Sequence, residues 1–450
     1  MNLRLLGRWI VGIELLILAG IVIHAPISVI TAVYFPEYDL LGKVWKELLM
    51  GIAFALLIIY ISLQKQWSNV LRDRIIQVVA VYALLHFLLL AWNWQGVVAA
   101  GAGLLIDLRY VLYFILVYAT LTLLPQYRTM FIKVAIAGAL IVLGFTLLQS
   151  TILPYDVLKY IGYSDATIKP YLTVDLNYDY IRLNSTLRGP NPLGAYAAVC
   201  LALCAAYILQ YGRSLSRRTG LLVGFLTLTS LLGLWASYSR SAGGAVIVML
   251  IIVGAVLGRR YMTRTWWIAI AVAICAGIGG IIATHESDFV QNVIRHSNPD
   301  GGSAQKSDDG HIDSLEDGAN RAIRQPLGGG IGSTGSASLQ GDDPLIIENQ
   351  YLFIAHESGW LGVLLFIVLS GLIYQRLWQL RRQWFAVGIG AGGIGLAAIG
   401  LLQPVWADDT VSIVWWGLAA VAITATTHVA ADKPIVHPKQ QTKKRPHAKK

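Results

Sequence analysis

The sequence predicts an all-α, polytopic membrane protein with about twelve transmembrane helices. Of the 450 residues, 56% are hydrophobic and only 13% are charged, a composition that soluble proteins of this size do not have. Apolar runs of about 20 residues, the length that spans a bilayer, recur along the whole chain. Basic residues collect in alternate connections between these runs. Length, composition and charge together therefore predict a helical bundle embedded in a membrane.

Twelve apolar runs are candidate spans. They cover about residues 9–34, 44–63, 75–94, 97–124, 131–150, 190–211, 220–237, 240–258, 265–283, 351–374, 384–403 and 411–427. The first run is too long for a signal peptide and lacks a clear cleavage site, so it predicts an uncleaved signal-anchor span. The fourth run contains Asp107 and Arg109, and charges in hydrocarbon are costly unless they are satisfied. These two residues predict either an intramembrane pair that fixes helix packing or an arginine that lines an internal cavity.

The net charge of +10 follows the predicted topology. Lys and Arg concentrate in the connections that we place in the cytoplasm, and most acidic residues lie in the outer connections, as the positive-inside rule requires. Both termini are therefore predicted to be cytoplasmic. No face that is both aromatic and basic accompanies the charge, which argues against nucleic acid as a partner. Residues 1–431 form the predicted bundle, and the basic tail 432–450 is predicted to be disordered and attracted to anionic membrane lipid.

All three cysteines, Cys200, Cys204 and Cys275, lie inside apolar runs. Cysteines in such runs are typical of buried small residues, so we predict neither disulfides nor metal ligands. The sequence therefore gives no reason to expect a metal or another cofactor.

Two long polar segments, residues 151–189 and 284–350, interrupt the apolar runs on the predicted outer side. Long loops in membrane proteins and enzymes are often lids or binding elements. In the second segment, Ser314 and Asp317 have the spacing of a helix capping box, which predicts a short helix at about 313–325 that ends before a proline. This segment is therefore expected to be partly ordered over the bundle.

A glycine-rich run, residues 327–335, follows the predicted loop helix. Glycines permit close approach of the backbone to a ligand. The run does not continue into Gly-Lys-Ser/Thr, however, so it does not match a nucleotide-binding Walker loop. We interpret it as a tight loop packed against the membrane surface.

Several arginines lie near the predicted outer ends of the helices. They are Arg182, Arg188, Arg240, Arg321 and Arg324. The guanidinium fork suits phosphate, and an arginine cluster can stabilise the charge that develops on a leaving diphosphate without a metal. The alternative is that each arginine extends to lipid headgroups. A tight hairpin at 236–244 favours a functional role for Arg240, since such a hairpin does not simply face lipid.

Four side chains in the second polar segment and the span after it are candidate general bases: His311, Glu348, His356 and Glu357. Glu348 and Asn349 lie just before the span. His356 and Glu357 lie about two turns deeper, so at least one of them is expected to face the bundle interior.

The sequence resembles the O-antigen ligase and O-antigen polymerase superfamily over nearly the whole chain, with twelve spans, cytoplasmic termini and one large outer loop late in the sequence. In the ligases the large outer loop closes with His, then Asn, Ser or Gln, then nine residues and Gly-x-x-Gly. Here Asn349 is followed by nine residues and by Gly359, Trp360, Leu361 and Gly362. Glu348 occupies the histidine position, which is a departure from the family pattern.

Other segments are similar to family motifs in the same order. Ser239-Arg240-Ser241 looks like the Ser-Arg segment whose arginine is thought to contact the diphosphate. Residues 107–110 are similar to an arginine-bearing span, and residues 188–194 to the Gly-Pro-Asn-Pro start of the sixth span. His311 with Leu315 is the nearest match to the Arg-x-x-x-Leu motif of the loop.

The resemblance implies a membrane glycosyltransferase C fold on the outer face, periplasmic or extracellular, of the cytoplasmic membrane. It implies metal-independent, inverting transfer of a glycan from an undecaprenyl-diphosphate-linked donor to the hydroxyl of an unknown glycan, lipid or protein acceptor. The implied catalytic residues are Glu348, His311 and Arg240. The implied substrate contacts are Arg109, Arg182, Arg188, Arg321, Arg324, Asn349, His356 and Glu357.

Two alternatives stay open at the sequence level. A polymerase of lipid-linked repeat units would use the same donor and differ only in its acceptor. A twelve-span secondary transporter would share the number of spans, but the two halves of this chain show no evident repeat and most charges gather at helix ends.

Overall fold

The computed structural model describes residues 2–168, 170–173, 177–260, 263–295 and 307–425, and these residues are predominantly α-helical. The helices are α1 (Leu3–Gly20), α2 (His24–Tyr34), α3 (Asp39–Gln64), α4 (Trp67–Leu71), α5 (Arg74–Leu89), α6 (Val97–Leu123), α7 (Arg128–Thr151), α8 (Pro190–Tyr211), α9 (Arg217–Ala236), α10 (Arg240–Leu257), α11 (Arg264–Ala283), α12 (Ser307–Arg324), α13 (Gly335–Ser338), α14 (Gln350–Gln379), α15 (Trp384–Ile399) and α16 (Asp409–Ile423). The predicted tail 432–450 lies outside the described residues.

All twelve predicted spans coincide with helices. Eight helical segments in the described ranges are long and apolar enough to cross a membrane. Shorter apolar helices α5, α15 and α16, together with α11, account for the other four runs. The predicted all-α, polytopic membrane fold is therefore confirmed.

The first predicted span is not one uninterrupted α-helix. A 3-10 turn, Ile21–Ile23, separates α1 from α2. Such a break leaves carbonyl groups unpaired, and within a membrane these must find partners inside the protein. The hydroxyl of Thr410 donates to Ile21 O at 3.0 Å, and that of Thr186 donates to Val22 O at 2.7 Å. The break therefore joins the N-terminal segment to a polar loop and to α16.

The bundle core forms around α8 and α16. Helix α8 packs against α9, α10 and α15, and α16 packs against α6. Between α6 and α16, the side chain of Trp416 is buried, and its ring centre lies 5.2 Å from that of Tyr110 and 5.7 Å from that of Phe114. Small residues allow helices to approach closely where the hydrophobic effect is weak, as Gly392 does beside Val199.

The polar segments gather at one end of the bundle, where α8, α10, α14 and α16 begin. We call this end the loop end. Leu183 N donates to Ala236 O at 3.0 Å, which joins the first polar segment to the end of α9. Gln350 N donates to Gly400 O at 2.7 Å, which joins the start of α14 to the turn 400–408. The opposite end, where α5, α9 and α15 begin, is called the basic end.

The predicted capping box in the second polar segment is wrong. Helix α12 begins at Ser307 and ends before Pro326, so Ser314 lies within the helix and does not cap it. The Ser314 hydroxyl donates to Ile346 O at 3.2 Å and accepts from Glu348 N at 2.9 Å. Because this hydroxyl serves a tertiary contact, the local spacing does not set the helix start.

Candidate functional site

The glycine-rich run folds as a turn that only glycine accommodates easily. Gly328, Gly330, Gly332 and Gly335 have φ values of +85°, +99°, +87° and +66°. L side chains rarely adopt this left-handed region, whereas glycine enters it without steric cost. The repeated glycines therefore let the backbone curl, with its N–H groups directed inward.

The inward N–H groups enclose the side chain of Glu357. Its carboxylate accepts hydrogen bonds from Gly332 N and, at 2.8 Å, from Thr334 N. The Glu357 side chain is only 1% exposed. Successive backbone N–H groups form a nest that suits an anion. The sequence predicted that the backbone of the glycine-rich run approaches a ligand closely. In the structure this backbone approaches a side chain of the protein itself, the carboxylate of Glu357.

Helix α14 is kinked beneath this turn. Gly359 has φ +68°, and a Cβ there would lie 2.5 Å from Pro326 O. Gly329 N donates to His356 O at 2.6 Å, and Trp360 N donates to Pro326 O at 3.0 Å. His356 and Glu357 are both buried, in agreement with the prediction that at least one faces the interior.

Replacement of Glu357 by alanine is expected to destabilise the fold by about 2–4 kcal/mol, because two buried N–H donors lose their acceptor. The measurement is thermal unfolding of the detergent-purified protein, with proteolysis in the 327–345 segment as a local readout. The matched control is Glu316→Ala, which removes an exposed glutamate of α12 and should cost less than about 0.5 kcal/mol. Equal stability of the two variants would contradict the role of Glu357.

Helix α12 lies over the start of α14 and brings several predicted residues together. His311 Nδ1 and Glu348 form an ion pair in which each side chain is more than a third exposed. On the same helix, Arg321 pairs with Asp317 at 2.7 Å, and Arg324 is exposed. His311 and Glu348, both predicted from sequence as catalytic, are therefore in direct contact.

Asn349 supports the α14 terminus. Its side-chain oxygen accepts from Tyr351 N and Leu352 N at 2.9 and 3.0 Å, and its side-chain nitrogen donates to Leu401 O at 2.8 Å. The residue thus caps α14 and ties it to the turn 400–408. A structural role accounts for these contacts without any substrate.

The three arginines around α8 and α10 differ in their surroundings. Arg182 is buried, and it donates to Ser237 O at 2.9 Å and to Asn191 Oδ1 at 2.7 Å. Arg240 is exposed and donates from Nη1 to Ile294 O at 2.8 Å. Arg188 is also exposed, and within the described part of the chain its guanidinium has neither a hydrogen bond nor an ion pair. Among these three arginines, Arg188 is therefore the one whose guanidinium makes no hydrogen bond or ion pair with a described residue.

Asp408 lies close to Arg188. Burial raises the pKa of the Asp408 carboxyl, which accepts from Val411 N at 2.9 Å and caps α16, and the positive charge of Arg188 opposes this rise. The N-termini of α8, α10, α14 and α16 meet at the same end of the bundle. Helix N-termini carry partial positive charge and favour anions. Arg188 therefore adds a full positive charge where the helices already favour negative groups.

Arg109 pairs with Asp409, not with its chain neighbour Asp107. The guanidinium contacts the Asp409 carboxylate and Ala407 O. The same carboxylate contacts Lys46 Nζ at 2.8 Å and His24 Nε2 at 2.9 Å. We call this group, Arg109, Lys46, His24 and Asp409, the Asp409 cluster.

Asp107 has a different partner from the one that its position suggests. Its Oδ2 lies 3.7 Å from Nε2 of the buried His86 on α5. The sequence predicted either an Asp107–Arg109 pair or an arginine that lines a cavity. In the structure, each of the two residues pairs instead with a residue of another helix.

Sequence reasoning did not single out His24, Lys46 or Asp409. Lys46 lies within the predicted second span, and an ionisable residue in a span signals a buried partner. The position of Lys46 in a span therefore predicted a buried partner, but the sequence did not show that this partner is Asp409. Among the described residues, no three His, Cys, Asp or Glu side chains are grouped so as to hold a metal ion.

Residues 225–367 match the model of the family described as O-antigen ligase. This segment is therefore similar to the O-antigen ligase superfamily. The match confirms the resemblance drawn from the Asn349–Gly362 spacing and supports an enzyme of the O-antigen ligase or polymerase type in a membrane. No curated protein matches the chain.

The ligase-family segment runs from the middle of α9 to the middle of α14. It contains Arg240, the His311–Glu348 pair, Arg321, Arg324 and the glycine-rich turn with Glu357. Arg109, Arg182 and Arg188 lie outside it. These three arginines lie at the loop end of the bundle, as Arg240 does. That they contact a substrate is still a prediction.

Proposed function

We propose that the protein transfers a glycan from an undecaprenyl-diphosphate-linked donor to an acceptor hydroxyl at the loop end of the bundle. We place that end on the outer face of the cytoplasmic membrane and both termini in the cytoplasm, because the basic connections lie at the opposite end. The observation that carries the proposal is the exposed Arg188 guanidinium among four helix N-termini, next to a ligase-family segment.

Arg188 is assigned to the donor diphosphate. The bond between the sugar and the diphosphate breaks during transfer, and negative charge develops on the departing phosphate oxygen. A guanidinium binds two phosphate oxygens in a fork, and positioned cations stabilise such charge without rearrangement during the reaction. Arg182 and Arg240 support this position through the α9–α10 hairpin, since they bond to Ser237 O and Ile294 O.

The His311–Glu348 pair is assigned to the acceptor. When His311 Nδ1 donates to Glu348, the basic nitrogen of the imidazole is Nε2, which can take the proton of an attacking hydroxyl. In this arrangement Glu348 orients and stabilises the protonated imidazole. The oxygen of the acceptor forms the new glycosidic bond on the face opposite to the leaving diphosphate, which gives inversion.

The test is glycan transfer by the protein in vesicles with a polyprenyl-diphosphate-linked glycan pool, in which released polyprenyl diphosphate is quantified. Arg188→Ala is expected to lower the transfer rate about 100-fold or more, the effect of removing one preorganised donor to a developing charge. Lys159→Ala is the matched control, because Lys159 is an exposed cation of the same polar segment, paired with Asp156. Transfer by this control should equal that of the wild type.

Two further variants separate the roles within the pair. His311→Ala should remove the general base and abolish transfer, whereas Glu348→Gln should retain part of the rate because the amide oxygen still accepts from His311 Nδ1.

A second experiment offers either a second lipid-linked glycan or a lipid as the acceptor, which distinguishes a polymerase from a ligase. Solute uptake that depends on the protein, without release of polyprenyl diphosphate from any acceptor mixture, would overturn the proposal in favour of a transporter.

A further inference from the structure

At the basic end, far along α14 from the kink, a polar cavity of about 480 Å³ lies between α14 and the segment that joins α4 to α5. Its lining includes Arg72, Arg74 and Arg376, with Asp73 as its acidic member. We call it the basic-end notch. Its size falls in the range of ligand sites, about 300–1,000 Å³.

Asp73 is fully engaged in holding the notch together. One carboxylate oxygen accepts from Ile75 N at 2.9 Å and caps α5. The other accepts from Arg376 Nη2 at 3.2 Å and from the Tyr118 hydroxyl at 2.8 Å. The acidic residue is thereby joined to α5, α6 and α14 and neutralises only Arg376.

The other two arginines keep their charge. Arg72 and Arg74 are exposed, and their guanidinium groups make no ion pair or hydrogen bond within the described ranges. With Arg376 balanced by Asp73, the notch carries a net charge of about +2 at neutral pH. Arg72 and Arg74 line the same cavity, and guanidinium groups are suited to bind a phosphate.

Aromatic residues place the notch at the level of lipid headgroups. Trp67 and Trp378 flank it in the chain and are 38% and 59% exposed. Exposed tryptophans at the ends of apolar helices are typical of the membrane interface. Basic cavities between transmembrane helices at this level bind the headgroups of anionic lipids.

We propose that the basic-end notch binds a phosphate group, supplied by the headgroup of an anionic phospholipid. Arg72 and Arg74 contact the phosphate oxygens, and the Asp73–Arg376 pair positions α14 as the opposite wall. The proposal concerns the end of the bundle opposite to the loop end and does not depend on the transfer reaction.

The experiment uses the full chain in detergent, with native mass spectrometry to quantify bound lipid and thermal unfolding to detect stabilisation. Dioleoylphosphatidylglycerol, dioleoylphosphatidylcholine and inorganic phosphate are added separately. The wild type should bind phosphatidylglycerol in preference to phosphatidylcholine. The double variant Arg72→Gln/Arg74→Gln should bind it about 30-fold more weakly, since each interfacial basic residue contributes about a factor of five.

Arg217→Gln/Arg218→Gln is the matched control, because it removes two exposed cations at the basic end of α9 and leaves the notch intact. Gln375→Glu is a second variant, which adds a negative charge to the lining and should also weaken binding. Equal loss of phosphatidylglycerol from the control and the notch variants would overturn the site. Stabilisation by inorganic phosphate as large as that by phosphatidylglycerol, lost with Arg72→Gln/Arg74→Gln, would support the phosphate site and overturn its assignment to lipid.

Discussion

Asp409→Asn is expected to destabilise the protein by about 3–5 kcal/mol, the cost of removing one partner from a buried ion group. The carboxylate of Asp409 contacts three basic side chains, Arg109, Lys46 and His24. Lys46 and Arg109 are only 2% and 7% exposed, so water cannot replace the lost charge. An asparagine amide presents an oxygen of about the same size but removes the carboxylate partner of Arg109 and leaves Lys46 with Glu47 as its ion-pair partner.

Thermal unfolding in detergent, followed by tryptophan fluorescence, measures this effect. Asp39→Asn is the matched control, since Asp39 pairs at 2.7 Å with Lys43, a residue that is more than half exposed. This substitution should cost less than about 1 kcal/mol. An unfolding midpoint of Asp409→Asn equal to that of Asp39→Asn would show that the cluster does not stabilise the bundle.

Gly103→Ala is the second substitution with a large expected effect. A Cβ at Gly103 would lie 2.5 Å from the Cα of Gly332, and a Cβ at Gly332 would lie 2.5 Å from the carbonyl carbon of Ala99. Backbone thus meets backbone, and no flexible side chain is present that could move aside. The methyl group must push the glycine-rich turn away from α6, which costs about 1–3 kcal/mol or more.

The displacement should also reach the proposed site. The turn holds the Glu357 carboxylate, and it directly follows α12, the helix that carries His311. We therefore expect Gly103→Ala to lower both the unfolding midpoint and the glycan transfer rate. Both are measured in the assays described above.

Gly101→Ala is the control on the same helix. Among the residues that the structure describes, no atom lies within 4 Å of a Cβ at Gly101, so the methyl group meets no neighbour there. Because alanine favours a helix interior over glycine by about 1 kcal/mol, this variant should be as stable as the wild type or slightly more so. If the two variants unfolded at the same temperature, the close packing of α6 against the glycine-rich turn would be refuted.

The helices of this protein were predictable because they depend on local composition. Each of the twelve apolar runs became a helix, including the fourth run despite Asp107 and Arg109. The start of α12 was not predictable from the Ser314–Asp317 spacing, since Ser314 bonds to Ile346 and Glu348. A local capping signal fails when a distant backbone group competes for the same hydroxyl.

The candidate site was predicted in part. The Asn349–Gly362 spacing indicated a resemblance to the ligase superfamily, and the family match over 225–367 agrees with it. The cost of a charge in an apolar helix predicted that at least one of His356 and Glu357 faces the interior, and the structure buries both. The contact between His311 and Glu348 did not follow, because it requires α12 to fold back over the start of α14.

The sequence by itself determined the membrane class, the apolar spans, the alternation of basic and acidic connections and the resemblance to the ligase superfamily. Each of these rests on the length, composition or spacing of one chain segment. Only the tertiary structure decided which charges meet. Arg109 and Asp409 are three hundred residues apart in the sequence, and Glu357 accepts hydrogen bonds from the turn 328–335, which lies more than twenty residues before it. A buried charge requires a partner, but which partner it finds depends on how the helices pack.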